Sequence, residues 1–221
     1  KLAENEEYNL TASRYKVQKD YTNCKWEMVK LEEIFVEIKN GKNVEQFDEK
    51  GRYKVSRIQT IANGTIDLEK TKWTNDNVSE SDFLHKGDIL LSHINSFEHL
   101  AKSAIFNEDT KVVHGVNLIR FRANRERINP EYAIYIFKSQ NFINIAKSFA
   151  QKAVNQASIK VADLKTIEIP LPPLDVQEEI VAEIEKEENA IEECKKLIAL
   201  HQENINTKIQ SIWGDSCENN N

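Results

Sequence analysis

Cysteine, glycine, proline and methionine are all scarce in this chain of 221 residues. Its three cysteines, Cys24, Cys194 and Cys217, are odd in number and far apart. That spacing supports neither a disulfide framework nor a paired zinc knuckle, so reduced thiols are expected. No stretch reaches the roughly 18 consecutive apolar residues of a membrane span, and the polar start Lys1-Leu2-Ala3-Glu4-Asn5 is unlike a signal peptide. A cytoplasmic chain with no membrane partner is the expectation. The one methionine is Met28 and the first residue is Lys1, which suits a chain that begins inside a longer polypeptide, after processing, or at a tag scar. Of the four prolines, three fall within Ile169-Pro170-Leu171-Pro172-Pro173. No helix can cross this strap, because proline fixes φ and extends the residue before it.

Charge is plentiful but unevenly placed. The formal net charge of −6 looks unfavourable for a nucleic-acid binder until it is divided along the chain. Residues 174–213 hold ten acids and four bases, for −6, whereas 21–173 hold twenty acids and twenty-two bases, for +2. Within the latter, 102–173 carry eleven bases against six acids, for +5. A locally basic part beside an acidic one permits DNA binding, since attraction to phosphate depends on where charge sits.

Beyond the strap an uninterrupted helical pattern runs over 174–213, with Asp175 as N-cap and Glu178 completing an Asp-x-x-Glu capping box. Ile184, Ile191, Ile198, Ile205 and Ile212 recur every seven residues, a seam that wants a partner helix. The intervening positions Glu187, Cys194, His201 and Lys208 make a poor core for a symmetric zipper. A spacer of about 60 Å, at 1.5 Å per residue, is the better description. Upstream, 26–38 reads as a short strand turning into a short amphipathic helix stopped near Gly41. Residues 53–58 alternate as a strand, and Ala62-Asn63-Gly64-Thr65-Ile66 looks like an Asn-Gly hairpin turn. Gly87-Asp88 turns into a strand to Ser92 that is apolar on both faces and hence central. Residues 111–121 suggest a strand pair around Gly115. Pro130 opens a helix over 131–139, a second follows over 140–150, and 163–169 alternate and close the sheet. Strands first and helices later give an α+β class: a globular mixed sheet-and-helix domain followed by a long C-terminal coiled-coil-type helix. The Asn-rich end, 214–221, is expected to be disordered.

With these elements placed, three pieces resemble the target-recognition domains of type I restriction-modification specificity subunits. They are Trp26-x-x-Val29-x-Leu31, then Leu84-x-Lys86-Gly87-Asp88-Ile89-Leu90-Leu91-Ser92, then a long C-terminal signature. The signature runs from Asn155-Gln156-x-Ser158-Ile159 through Leu164, Ile167 and Ile169-Pro170-Leu171-Pro172-Pro173-Leu174 to Gln177, Ile180 and Val181. It is the specific piece, because strap, glutamine and helix start occur together at fixed spacing. The resemblance covers nearly all of 24–213. It implies a recognition domain at 24–173 that reads one part of a bipartite double-stranded DNA site, and a dimerisation or spacer helix at 174–213 that packs antiparallel on an equivalent helix. Members commonly carry two of each where this chain has one. That implies a half-subunit pairing as a homodimer or with a second specificity unit, or one end of something larger. Asn5-Glu6-Glu7-Tyr8-Asn9-Leu10-Thr11-Ala12-Ser13-Arg14-Tyr15 looks like the closing segment of the adenine-specific methyltransferase subunits of the same systems. Residues 1–23 are then a linker or the tail of a preceding methyltransferase domain. The implied partners are double-stranded DNA, an adenine DNA methyltransferase subunit or domain bringing S-adenosylmethionine, and, in a system that cuts, a restriction subunit. No cofactor is implied for this segment itself.

No catalytic constellation emerges. An adenine methyltransferase holds its flipped base with an Asn- or Asp-Pro-Pro-aromatic loop, whereas Pro172-Pro173 here precedes Leu174. Glu37-Ile38-Lys39, with Asp20 upstream, matches half of a metal-dependent nuclease motif, against which a solvated helix face is the plainer reading. A small nuclease is therefore one rival function, and a helix-based assembly subunit without DNA contact is another. His93, His99 and His114 lack the spacing of a structural zinc site, and no metal is expected. Residues expected to touch DNA lie at strand ends and in one non-periodic loop. The strand-end set is Ser92, His93, Asn95, Lys102, His114 and Asn117; the loop set is Lys152, Asn155, Gln156, Ser158 and Lys160. Amides can read adenine N6 and N7 while cations hold phosphates, although ordinary turn chemistry competes at each position. The resemblance also implies a DNA-facing Arg57, for which a surface salt bridge contends. Arg120, Arg122, Arg125 and Arg127 read as a solvated basic edge, with a non-specific phosphate contact as the alternative.

Overall fold

A computed structural model describes residues 24–152 and 156–213, with Lys152 represented by its backbone alone. The expectations for 1–23 and 214–221 lie outside the described residues. The chain divides into two units between Gln177 and Glu178. The first contains β1 (Met28–Lys30), α1 (Leu31–Ile34), β2 (Phe35–Asn40), β3 (Tyr53–Val55), β4 (Lys72–Thr74), β5 (Asp88–Ser92), β6 (Ile94–Asn95) and β7 (Ser103–Phe106). It continues with β8 (Val112–Val113), β9 (Leu118–Ala123), α2 (Pro130–Lys138), α3 (Gln140–Ser148), β10 (Gln151–Lys152), β11 (Ala157–Ser158), α4 (Val161–Lys165) and β12 (Glu168–Pro170). The last helix, α5 (Leu174–Trp213), begins in this unit and makes up the described part of the second. The architecture is α+β, as the order of elements led us to expect.

The central sheet is antiparallel in the order β2-β9-β5-β7, so β5 is an interior strand and all five of its residues are buried. Register pairs Leu90 with Ala104 and Arg120, and Leu91 with Ser103 and Ile119. Alternation therefore sorts the sheet into two faces. One carries Ile38, Ile89, Leu91, Ile119 and Phe121. Phe121 meets Phe137 of α2 edge-on at 4.9 Å, and Phe137 stacks on Phe142 of α3 at 4.2 Å. The other face joins Leu90, Ala104, Phe106 and Leu118 to Ile61, Leu84 and Val112. Burying side chains of this size stabilises by roughly 1.5–3 kcal/mol each.

Local chemistry sets the helices. The Asn129 side chain accepts from the N–H groups of Glu131 (2.8 Å) and Tyr132 (3.4 Å), and Pro130 occupies the first helical position. Ser139 then ends α2 and caps α3 by accepting from Phe142 N–H at 3.3 Å. The strap is fixed by Gln177, which is fully buried. Its Nε2 donates to the carbonyls of Pro172 (2.8 Å) and Arg127 (3.1 Å), and its Oε1 accepts from Asn129 N–H at 2.8 Å.

Several elements differ from the sequence expectation. The helix over 31–38 is a single turn, Leu31–Ile34, after which β-branched and aromatic residues go into β2 because β9 offers a pairing edge. Asn63-Gly64 closes a 3-10 turn over Ile58–Ile61 rather than a hairpin, with Gly64 at φ +76°. Strands β8 and β9 flank Gly115 but join different sheets. Residues 161–165 form α4, and β12 pairs with β1 alone. Helix α5 starts at Leu174, which puts Asp175 inside the first turn, accepting from Val176 N–H at 2.9 Å. In the second unit Ile191, Ile198, Ile205 and Ile212 are all exposed. Among the described residues no helix is long and apolar enough to cross a membrane.

The largest correction concerns the basic run. Arg120 is 0% exposed. Its Nη1 donates to the Phe83 carbonyl at 2.8 Å, and its Nη2 to the Ser81 carbonyl at 3.1 Å and to the Glu37 carboxylate. Arg122 forks onto Asp88 through Nε (2.8 Å) and Nη2 (2.7 Å). Burial alone would raise the Glu37 pKa, but Lys39 and Arg120 outweigh it and hold the carboxyl below its ordinary value. Glu37 thus belongs to a strand and a buried ion network, not to a solvated helix face. His114 lies against the same network at 1% exposure, its Nε2 bonded to the Leu118 carbonyl at 2.9 Å. Burial, reinforced by Arg120, pushes its pKa down to about 4 although the Leu118 carbonyl works the other way.

Two outcomes follow. Arg120→Ala should destabilise the first unit by about 3 kcal/mol, because Glu37 and two carbonyls lose their partner; a denaturation midpoint within error of the parent would contradict this. His114 is neutral in the folded chain down to about pH 4, whereas the unfolded histidine takes a proton near pH 6.5. Stability should therefore fall as pH drops from about 6.5 to about 4, by roughly 3 kcal/mol from this group. That part of the pH dependence of Tm should vanish in His114→Gln.

Candidate nucleic-acid interface

The polar segments singled out around 92–95 and 151–160 are far apart in sequence, yet they form one small sheet, β10-β11-β6. Asn95 pairs with Ala157 and Ile94 with Ser158, while Ser158 and Ala157 pair in turn with Gln151 and Lys152. Ile159 N–H donates to the His93 carbonyl at 2.9 Å and extends the junction. Gln156 and Lys160 are exposed here, and Asn95 and Ser158 half-buried. Asn155 and the Lys152 side chain lie outside the described residues. The Asn95 amide is oriented locally: its Oδ1 accepts from Ser96 N–H at 2.8 Å and its Nδ2 points to Ser92 Oγ at 3.5 Å.

The structure takes three of the expected contact residues off the surface. Ser92 is fully buried, its N–H donating to the Lys102 carbonyl (2.8 Å) and its carbonyl accepting from Ala101 N–H (2.9 Å). His93 is buried, and burial lowers its pKa despite a bond to the Asn117 backbone carbonyl. A neutral ring in that position ties the 115–117 turn to the start of β6. His114 belongs to the core described above. Sequence reasoning placed these three correctly at strand ends but could not see which way they face.

The remaining residues are carried by the same junctions. Asn117 is exposed on its turn. Gly115 holds that turn against Ser56, whose Oγ accepts from Gly115 N–H at 3.1 Å; a Cβ on Gly115 would come within 2.0 Å of the Ser56 carbonyl oxygen. Arg57 follows Ser56, half-buried, and its guanidinium has no partner among the described residues. Lys102 donates to the Ala62 carbonyl at 2.9 Å, which leaves two ammonium protons unused. Lys138 and Ser103, which no sequence spacing marked, lie in one cleft with Lys102. By contrast Arg125 and Arg127 donate to the Lys86 and Glu33 carbonyls, so the basic run braces loops.

This arrangement offers amides, a hydroxyl and cations around short strand ends, and suits hydrogen bonding to base edges and phosphates. It offers little to a metal-dependent nuclease. Glu37 is engaged by Arg120 and Lys39, and among the described residues no group of three His, Cys, Asp or Glu side chains could hold a metal ion.

Comparison with known proteins agrees with the signature. A specificity subunit assigned to the MjaX type I restriction enzyme of Methanocaldococcus jannaschii is 38% identical over 177 residues, covering 78% of this chain and 42% of that protein. The EcoKI type I restriction enzyme specificity subunit of Escherichia coli is 24% identical over 187 residues, covering 82% of this chain and 40% of that one. The crystal structure of the HsdS subunit from Thermoanaerobacter tengcongensis superposes with a TM-score of 0.60 at 20% identity, covering 84% of this chain and 48% of that one. The chain therefore spans about two fifths of the length of the curated relatives it matches. Residues 23–202 match the type I restriction modification DNA specificity domain, and the chain belongs to that family.

Proposed function

We propose that this chain is a DNA-reading module that performs no chemistry itself, recognises one half of a bipartite double-stranded site, and positions an adenine methyltransferase there. The observation that carries this reading is the β10-β11-β6 sheet, which joins two distant polar segments into one surface with Asn95, Gln156, Ser158 and Lys160 at its ends. Phosphate contacts from Lys102, Lys160 and Arg57 supply most of the affinity, and amides at Asn95, Asn117 and Gln156 supply discrimination. Transfer chemistry and S-adenosylmethionine belong to the methyltransferase partner; in a system that cuts, a restriction subunit docks on the same assembly.

The exposed isoleucine seam of α5 gives the module its second half. Four isoleucines spaced seven apart form an exposed apolar seam on an otherwise acidic helix, with Ile209 beside it and Leu197 and Leu200 exposed elsewhere on its surface. Such a helix is repelled by DNA and pairs with another helix. A length of about 60 Å exceeds one B-DNA turn of roughly 34 Å, so two paired modules would read sites more than one turn apart.

Once methylated-adenine mapping has given the cognate sequence, fluorescence anisotropy tests the interface. Asn95→Ala should cost about 1–3 kcal/mol on the cognate duplex and little on unrelated DNA. Lys160→Gln should weaken both and reduce the slope of log K against log salt by about one. Equal losses on every sequence for Asn95→Ala would refute its role in discrimination. For the helix, Ile191→Asp with Ile198→Asp should release monomers in light scattering while the first unit keeps its melting transition; an unchanged molar mass would refute pairing through α5.

A further inference from the structure

One cleft of about 430 Å³ combines features that the sheet interface does not explain. It lies between the turn Asn63-Gly64-Thr65, the start of β7 and the ends of α2 and α3, and Lys102, Ser103 and Lys138 line it. Ser103 is 3% exposed and its Oγ has no hydrogen-bond partner. Strand alternation places the Ser103 side chain on the face opposite Ala104 and Phe106, the face on which α2 lies, and the residue itself lines the cleft. A buried hydroxyl without a partner is uncommon and asks for one.

Charge around that hydroxyl is of one sign. Lys102 fixes one wall through its bond to the Ala62 carbonyl and keeps two protons free. The Lys138 stem passes the turn: a Cβ on Gly64 would lie 3.9 Å from Lys138 Cε and 3.9 Å from the Ser103 carbonyl oxygen. Lys138 Nζ has no ion-pair partner among the described residues, and no carboxylate lines the cleft. The chain reaches Lys102 and Ser103 through Ala101, which holds φ at 61°. A non-glycine residue in that region persists only where its surroundings impose it, and such residues gather at ligand-binding places.

We infer that this cleft is a seat for a single phosphate group, with Lys102 and Lys138 as the balancing cations and the Ser103 hydroxyl as the buried donor, and that its occupant is a phosphodiester of the DNA backbone. This rests on the DNA-reading function proposed above. The backbone pairing of Ser92 with Ala101 and Lys102 ties the cleft to the strand end that carries Asn95, so a phosphate seated there would fix the register at which that amide meets a base.

The test uses the full chain, a fluorescent mixed-sequence duplex over a range of salt, and separate calorimetric titrations with inorganic phosphate and with a mononucleotide. Lys138→Gln should weaken duplex binding about tenfold and lower the salt slope by about one, and Lys138→Arg should restore both. Ser103→Ala should weaken binding about tenfold while leaving the melting temperature unchanged or higher, because it removes an unsatisfied hydroxyl. Lys196→Gln on the acidic helix is the charge control; a loss equal to that of Lys138→Gln would overturn the seat. If duplex binding ignores Lys138→Gln while inorganic phosphate or the mononucleotide binds in a Lys138-dependent way, a free phosphate is the occupant and the DNA assignment is overturned. If neither responds, the seat itself is overturned. Should the parent chain bind no duplex at all, the DNA-reading function falls, and the phosphate titration still decides the cleft.

Discussion

A guanidinium with no access to water, that of Arg120, constrains the whole first unit. An unpaired charge at that depth would cost several kcal/mol, so the surrounding chain must bring partners to it. It takes them from Glu37 on β2 and from the Phe83 and Ser81 carbonyls in the segment before β5. Arg122, two residues along the same strand face, clamps Asp88 at the head of β5 with a planar fork that lysine could not reproduce. Strands β2, β9 and β5 are thereby locked in register at one end. Their other end, at Ser92, is where the polar sheet begins.

A second buried polar group governs how the strap leaves this body. Gln177 uses both amide functions: it donates to Pro172 and Arg127 and accepts from Asn129. Asn129 is also the residue whose side chain starts α2. One glutamine thus joins the strap, the first turn of α5 and the N-terminus of α2. An apolar residue of similar volume would leave the Asn129 N–H and two carbonyls unanswered, so this place in the first turn of α5 calls for an amide.

Much of this was legible in the sequence where local chemistry decides. Pro130 at a helix start, the two helical patterns over 131–139 and 140–150, and the run after Gly87-Asp88 that is apolar on both faces announced α2, α3 and β5. The strap and its glutamine announced the family. Long-range pairing was not legible. Residues 35–38 carry a helical rhythm that β9 overrides by supplying a strand partner, and the alternation of 163–169 hides a short helix because β12 pairs with β1 alone. Arg120 looked solvated because its sequence neighbours Arg122, Arg125 and Arg127 are charged, while the carboxylate that buries it is 83 residues away. Within the interface the strand ends were found and the facing of Ser92, His93 and His114 was missed, since one residue of register decides which side of a sheet a side chain occupies.

That last difference separates buried residues that position the loops from residues whose side chains reach the surface. Ser92, His93 and His114 hold turns by bonding to backbone carbonyls or side-chain amides, and their substitution would move the loops carrying Asn95 and Asn117. Asn117, Gln156 and Lys160 are exposed on a turn or beside the paired strands, so their side chains can change without breaking a core contact, whereas Asn95 is half-buried and bonded to Ser92. A scaffold built this way keeps its buried polar groups under strict constraint and leaves the exposed residues at its strand ends nearly free. Sequence recognition can then diverge at the loop tips while Arg120, Gln177 and the proline strap stay fixed, because the free energy that maintains the fold is located away from the atoms that would meet a base.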